Sequence, residues 1–225
     1  MSKIPIYFFP GMSSTSLIFE HLYLDITRFE LIFLEWLDID KSESLDQYIK
    51  RYIPLIKHDN PVLIGVSFGG IVAQEISKLI PVKKTIIISS VRSNKEFPKL
   101  FRFASKTGIY RCLPTSMVNT VLGWIKSNAS QHTMKRLELY DKYLPLRDKK
   151  YLDWCIREVL KWKQDTPLDD VIHIHGTKDE IFPMSNIKSA IKIEGGTHAM
   201  IIIKHKWFNT NLETIILKNN NEKDS

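Results

Sequence analysis

Ser67 is the residue of this chain best placed by its neighbours to do chemistry. It lies in Gly65-Val66-Ser67-Phe68-Gly69-Gly70. By itself Gly-x-Ser-x-Gly is a modest signal, arising by chance in roughly one chain in ten of this length. Its surroundings make it specific. The apolar run Pro61-Val-Leu-Ile64 precedes it, and a helical pattern (Ile71, Val72, Gln74, Glu75, Leu79) follows. In a strand–turn–helix of this kind the serine takes a strained backbone conformation, and its hydroxyl stands above the carboxyl end of the strand. Gly65 and Gly69 let strand and helix approach without Cβ clashes, and the helix N-terminus behind the serine favours developing negative charge.

A serine hydroxyl is a weak nucleophile at neutral pH and needs a base. Of seven histidines, His198 stands out because Glu194-Gly-Gly-Thr-His198 is a glycine-rich loop after the last expected strand. The base in turn needs a carboxylate to fix its tautomer. Asp179, in His175-Gly-Thr-Lys-Asp179-Glu-Ile-Phe-Pro183, follows a strand directly, and Glu180 competes with it at the same loop. The segment after the fourth strand has no acid before Glu96, which favours Asp179. His173 and His175 share one side of the preceding strand and read as supporting groups. An oxyanion would need two backbone donors. The expected ones are the N–H of Phe68 and, from the Pro10-Gly11-Met12-Ser13-Ser14 loop, the N–H of Met12.

The elements that must position these groups follow from periodicity. Strands are expected at Ile4 to Phe9, Phe29 to Trp36, Pro61 to Val66, Lys84 to Ser90, Val171 to His175 and Ile191 to Glu194. Helices are expected at Ser44 to Ile56, Gly69 to Ile80, Met184 to Ala190 and Ala199 to Leu217. This alternation implies an α/β fold, a doubly wound, mostly parallel sheet of about six strands in the order 2-1-3-4-5-6 with helices on both faces. Residues 92-165 break the rhythm. There Asp148 caps a helix striped by Leu152, Cys155, Ile156 and Val159, and Met134, Leu137, Tyr140 and Leu144 suggest another. The expected organisation is a core of residues 1-91 and 166-217, a helical cap of 92-165 inserted after the fourth strand, and a frayed polar tail of 218-225.

The nucleophile turn, the Pro-Gly loop, the order Ser67, Asp179, His198 and the helical insertion together resemble the α/β-hydrolase family over nearly the whole chain. The resemblance implies a Ser-His-Asp acyl-enzyme mechanism without metal or cofactor, acting on an ester or thioester. The same triad in this family also serves carbon–carbon bond hydrolysis and lyase chemistry, and a non-catalytic binding protein docking through its basic cap is a further alternative. The chain departs from the family in having Pro10-Gly11 where many members have His-Gly, in lacking two initial strands, and in a short path from Asp179 to His198.

Composition bounds these expectations. Two cysteines in 225 residues are too few for a disulfide framework and suggest a reducing compartment. No apolar stretch is long enough to span a membrane and the N-terminus lacks a signal-peptide core, so a cytoplasmic enzyme is expected. The net charge is +7. Between Arg92 and Asp165 there are 16 Lys+Arg against 7 Asp+Glu, an excess of +9, whereas the rest, 16 against 18, carries −2. The cap is thus either a solvated basic surface or an attractor for an anionic partner, such as an anionic acyl compound as small-molecule substrate. No nucleic-acid motif accompanies the charge. The cap aromatics Phe97, Phe101, Phe103, Tyr110, Trp124, Tyr140, Trp154 and Trp162 suit an apolar acyl pocket, although most such residues are core rather than ligand contacts.

Overall fold

A computed structural model describes residues 2–107, 138–139 and 141–218. Six short strands, each rich in β-branched and aromatic residues, form one parallel sheet. They are β1 (Ile4–Phe9), β2 (Phe29–Phe33), β3 (Val62–Val66), β4 (Lys84–Ile88), β5 (Val171–Gly176) and β6 (Ile191–Ile193), in the order β2-β1-β3-β4-β5-β6. Register puts Phe8 opposite Phe33 and Ile64, Val66 opposite Ile88, and Gly176 opposite Ile193. The carboxyl ends of the strands therefore line up along one edge, where loops can converge on Ser67.

β3 and β4 are buried at every position because both faces of the sheet are covered. Tyr7, Phe9 and Leu63 point to one face, where they meet α1 (Leu45–Tyr52), α2 (Phe68–Ser77) and the buried side of a later helix. Ile6, Phe8, Ile64 and Ile86 point to the other, against Ile18, Phe19 and Phe208. Ser44 starts α1 with a reciprocal capping box, its side chain accepting from Gln47 N–H while the Gln47 side chain accepts from Ser44 N–H. Lys84 is 4% exposed, yet its ammonium donates to the carbonyls of Ile215 (2.9 Å), Ile216 (3.1 Å) and Lys218 (2.5 Å). It thereby caps the orphan carbonyls at the end of the C-terminal helix and ties that end to the sheet.

Between β4 and β5 the described residues hold helices and turns and no strand. α3 (Lys99–Thr107) packs on α4 (Lys149–Lys161). As expected, Asp148 caps α4, its side chain accepting from Tyr151 N–H at 3.0 Å. The apolar stripe of α4 is centred on the fully buried Trp154 and Cys155, with Leu152 and Val159 beside them and Ile156 half-buried. Polar contacts fasten α4 to the core: Glu158 accepts from Leu45 N–H at the first turn of α1 (2.9 Å), and the Trp154 indole donates to Glu43 O (2.9 Å). Met134, Leu137 and Tyr140, the centre of the second expected helix, lie outside the described residues. So do Tyr110, Trp124, Cys112 and, beyond Lys218, the tail.

Three expectations need correction. Strand two ends at Phe33, because Leu34 N–H makes the last bond to β1, to Phe8 O (3.0 Å), and the chain then leaves the sheet with Trp36 in a loop. Met184 to Ala190 is helical only at its start. A one-turn 3-10 helix, Met184–Asn186, ends where Ile187 is extended (ψ 121°). Ala199 to Leu217 is two helices, α5 (Met200–Ile203) and α6 (His205–Leu217), parted at Lys204. The β-branched run Ile201-Ile202-Ile203 is a poor helix former at this break.

Candidate active site

The strand–helix turn after β3 is as tight as its sequence requires. Ser67 has φ 53° and ψ −116°, which costs a non-glycine residue about 1–3 kcal/mol. Hydrogen bonds hold it there. Its N–H donates to Ile88 O (2.9 Å), and its carbonyl accepts from Gly70 N–H (2.9 Å) and the Ser90 hydroxyl (2.7 Å). A Cβ on Gly65 would lie 2.1 Å from Gly69 O, and one on Gly69 would lie 2.3 Å from Pro10 O. Both glycines are therefore demanded by close approach, of the turn to itself and of the turn to the loop after β1.

Asp179 and His198 arrive on two loops joined to each other. Lys178 N–H donates to Gly196 O (2.8 Å), Thr177 N–H to Ile193 O (3.0 Å) and Gly195 N–H to the Thr177 hydroxyl (2.9 Å). Asp179 is 4% exposed, and its Oδ1 accepts from the N–H groups of Ile181 and Phe182, both at 2.9 Å. This Asx-type turn fixes the carboxylate before any partner is added. His198 Nδ1 lies 2.9 Å from Asp179 Oδ2, and its Nε2 lies 2.9 Å from Ser67 Oγ. A carboxylate only accepts, so Nδ1 carries the proton and Nε2 turns its lone pair to the serine hydroxyl. Glu180, the competing acid, is exposed.

His175 and His173 stand behind Asp179. His175 Nε2 lies 2.8 Å from Phe182 O and 3.6 Å from Asp179 Oδ2, and His173 Nε2 lies 3.0 Å from His175 Nδ1. Burial pushes the His173 imidazole down to about 3, with the neighbouring His175 adding to the effect, and burial lowers His175 as well. Both rings are therefore neutral near pH 7, and His175 Nε2–H is the donor to Phe182 O. Cys155 offers no competing nucleophile, since burial pushes its thiol up to about 12.

Phe68 opens α2 with its ring buried, and half-buried Met12 lies in the loop after β1. In that loop Gly11 O accepts from Ser14 N–H (3.1 Å), the Ser14 hydroxyl (2.7 Å) and the Trp36 indole (3.0 Å). The same indole stacks on the Phe68 ring, with centroids 5.2 Å apart and planes 27° apart. Phe182 packs edge-on to His198 (5.5 Å), with Phe97 and Phe101 behind it. Trp154 and Trp162 are core residues, the commoner of the two readings for the cap aromatics, whereas Phe103 is 56% exposed. Sequence reasoning passed over Ser14, which bonds within its own loop, and Trp36 and Ser90, whose partners lie 25 and 23 residues away. Among the described residues no group of three or more His, Cys, Asp or Glu side chains is arranged to hold a metal ion. No described helix is long and apolar enough to cross a membrane.

No family model and no curated protein sequence matches the chain. Solved structures do. An α/β-hydrolase fold protein from Burkholderia ambifaria superposes with a TM-score of 0.63 at 13% identity, covering 94% of this chain and 90% of that one. The chain has the α/β-hydrolase fold. A putative non-heme bromoperoxidase from Mycobacterium tuberculosis (TM-score 0.69, 13% identity, 95% and 91% covered) shares it. So does an enol-lactonase from Burkholderia xenovorans (0.69, 11%, 97% and 93%). At such identities the likeness concerns the α/β-hydrolase scaffold, and the different activities named for these neighbours illustrate how little a scaffold selects a reaction.

Proposed function

We propose that the chain is a serine hydrolase that cleaves an ester or thioester of a small molecule through an acyl-enzyme. The single observation that carries the proposal is the unbroken relay from Ser67 Oγ to His198 Nε2 and from His198 Nδ1 to Asp179 Oδ2, each link 2.9 Å, at a serine held in a strained turn. In the first step Ser67 Oγ attacks the acyl carbon and its proton passes to His198 Nε2. Asp179 keeps the proton on Nδ1 and stabilises the imidazolium. The N–H groups of Phe68 and Met12 receive the oxyanion. The leaving alcohol or thiol departs with the proton from Nε2. Water then gives a proton to the same nitrogen, attacks the acyl carbon, and releases the acid as Ser67 recovers its proton.

Phe182, edge-on to His198 and backed by Phe97 and Phe101, supports an apolar acyl group. The +9 excess between Arg92 and Asp165 supports an anionic moiety elsewhere on the substrate. The test is hydrolysis of p-nitrophenyl esters and acyl thioesters of increasing chain length by wild type and Ser67→Ala. Turnover by wild type that falls to background in the variant is expected. Equal turnover by the two folded proteins would refute Ser67 as the nucleophile.

A further inference from the structure

We propose that Trp36 is a positioning residue that sets the oxyanion hole, aiming one donor through a hydrogen bond and bracing the other by stacking. This assignment rests on the serine-hydrolase reading and on Met12 N–H as a donor. Its geometry is independent of both. The peptide joining Gly11 to Met12 is trans, there being no cis bond among the described residues, so its N–H points opposite to its C=O. That C=O is held by three donors, the Ser14 N–H, the Ser14 hydroxyl and the Trp36 indole N–H. Trp36 is the one donor of the three that comes from outside the loop, 25 residues along the chain from Gly11. Fixing the carbonyl fixes the opposite direction of Met12 N–H. The loop also sits against the nucleophile, since a Cβ on Gly11 would lie 3.5 Å from Ser67 Cβ.

The ring of Trp36 does a second task. It stacks on Phe68, whose backbone N–H is the other expected donor, and meets Tyr151 of α4 at 6.4 Å. The Tyr151 hydroxyl in turn accepts from Ser13 N–H (3.4 Å), and Ser13 O accepts from Leu146 N–H (3.1 Å). Ser13 itself has φ 65°, so the loop turns sharply after Met12 and depends on these outside bonds to keep its shape. A single indole therefore touches the loop carrying one donor, the residue carrying the other, and the segment between β4 and β5. A rigid hole of this kind is worth most at the transition state, because the oxyanion is developing there and is absent from the bound substrate.

Trp36→Phe tests this on the full chain, since it keeps a ring on Phe68 and removes only the indole donor. Complete loss of an oxyanion donor typically costs ~10²–10³ in turnover, and a donor that is misaimed retains part of that. The expected result is a fall of about tenfold or more in kcat for a p-nitrophenyl ester with KM within about twofold. Binding of an alkyl boronic acid, which forms a tetrahedral adduct on the serine, should weaken by a similar factor. Ser14→Ala, which removes a second donor to the same carbonyl, should show the same split and serves if Trp36→Phe does not fold. A folded variant with unchanged kcat, or one whose KM rises while boronate affinity holds, overturns the assignment and leaves the hydrolase proposal standing. A wild type that neither turns over esters nor binds the boronate brings down both.

Discussion

Asp179→Asn separates the charge and tautomer function of this residue from its structural one. The side chain has two duties. Oδ1 accepts the N–H groups of Ile181 and Phe182, and Oδ2 is the nearer oxygen to His198 Nδ1, at 2.9 Å against 3.1 Å for Oδ1. An asparagine must give its one carbonyl oxygen to the first duty. The flipped orientation would strand the buried Phe182 N–H, at about 1–3 kcal/mol, and turn the Ile181 N–H out to solvent. Its NH2 is thereby forced toward His198, where only a bare Nδ1 can accept. The proton then sits on Nε2, which donates to Ser67 Oγ and cannot take its proton. The turn survives and the base is disabled. Loss of the correct tautomer in a triad of this kind costs ~10⁴ in kcat, equivalent to about 5.4 kcal/mol of barrier. The assay is burst-phase and steady-state hydrolysis of a p-nitrophenyl ester near pH 7, with thermal unfolding measured alongside. The expected outcome is that loss in kcat with KM and unfolding temperature close to wild type. A loss below about thirtyfold in a folded variant would refute the tautomer reasoning.

Other consequences are testable with equal directness. Gly65→Ala places a Cβ 2.1 Å from Gly69 O, where no real Cβ sits, so it should abolish soluble expression or lower the unfolding temperature sharply; a stable, active variant would contradict the tight turn. Lys84→Met leaves three carbonyls without their donor and should destabilise by about 1–3 kcal/mol in urea titration without changing kcat. Burial lowers His173 to about 3 while an unfolded histidine titrates near its ordinary value of 6.5. The unfolded chain thus binds more protons in between, and stability should fall as pH drops through that window, by up to ~1.4 kcal/mol per pH unit for this one group. His173→Phe should flatten that slope, and an unchanged slope would count against it. If the basic segment attracts an anionic acyl substrate, KM should rise with added salt, as it should not for a neutral ester.

Much of the candidate site's geometry was legible because its signals are local. A buried strand, a Gly-x-Ser-x-Gly turn and a helix are contiguous in sequence, and Asp179 and His198 each follow a strand in a short loop. Alternating apolar runs made a parallel sheet legible, and handedness left 2-1-3-4-5-6 as its natural order without proving it; the structure has that order. Trp36 was illegible for the opposite reason. It looked like the last residue of a strand, and its partner, the Gly11 carbonyl, carries no side chain to mark it. The histidines behind Asp179 were legible as supporting groups by their alternate spacing on β5, but the bond to Phe182 O depends on a turn that only the fold shows. The helix expected from Met184 shrinks to one 3-10 turn because the chain must return to the sheet at Ile191, which a helical apolar spacing over seven residues cannot outweigh. Composition left the cap aromatics between core and pocket, and packing against α1 and α2 places Trp154 and Trp162 in the core.

The central claim is that Ser67 is the attacking atom's owner. Reaction of the full chain with a fluorophosphonate, followed by peptide mass spectrometry, tests it most directly. The account predicts a stoichiometric adduct on the peptide containing Ser67, absent in Ser67→Ala and strongly slowed in His198→Ala. A folded wild-type protein that takes no label, or that carries it on another residue, would contradict it.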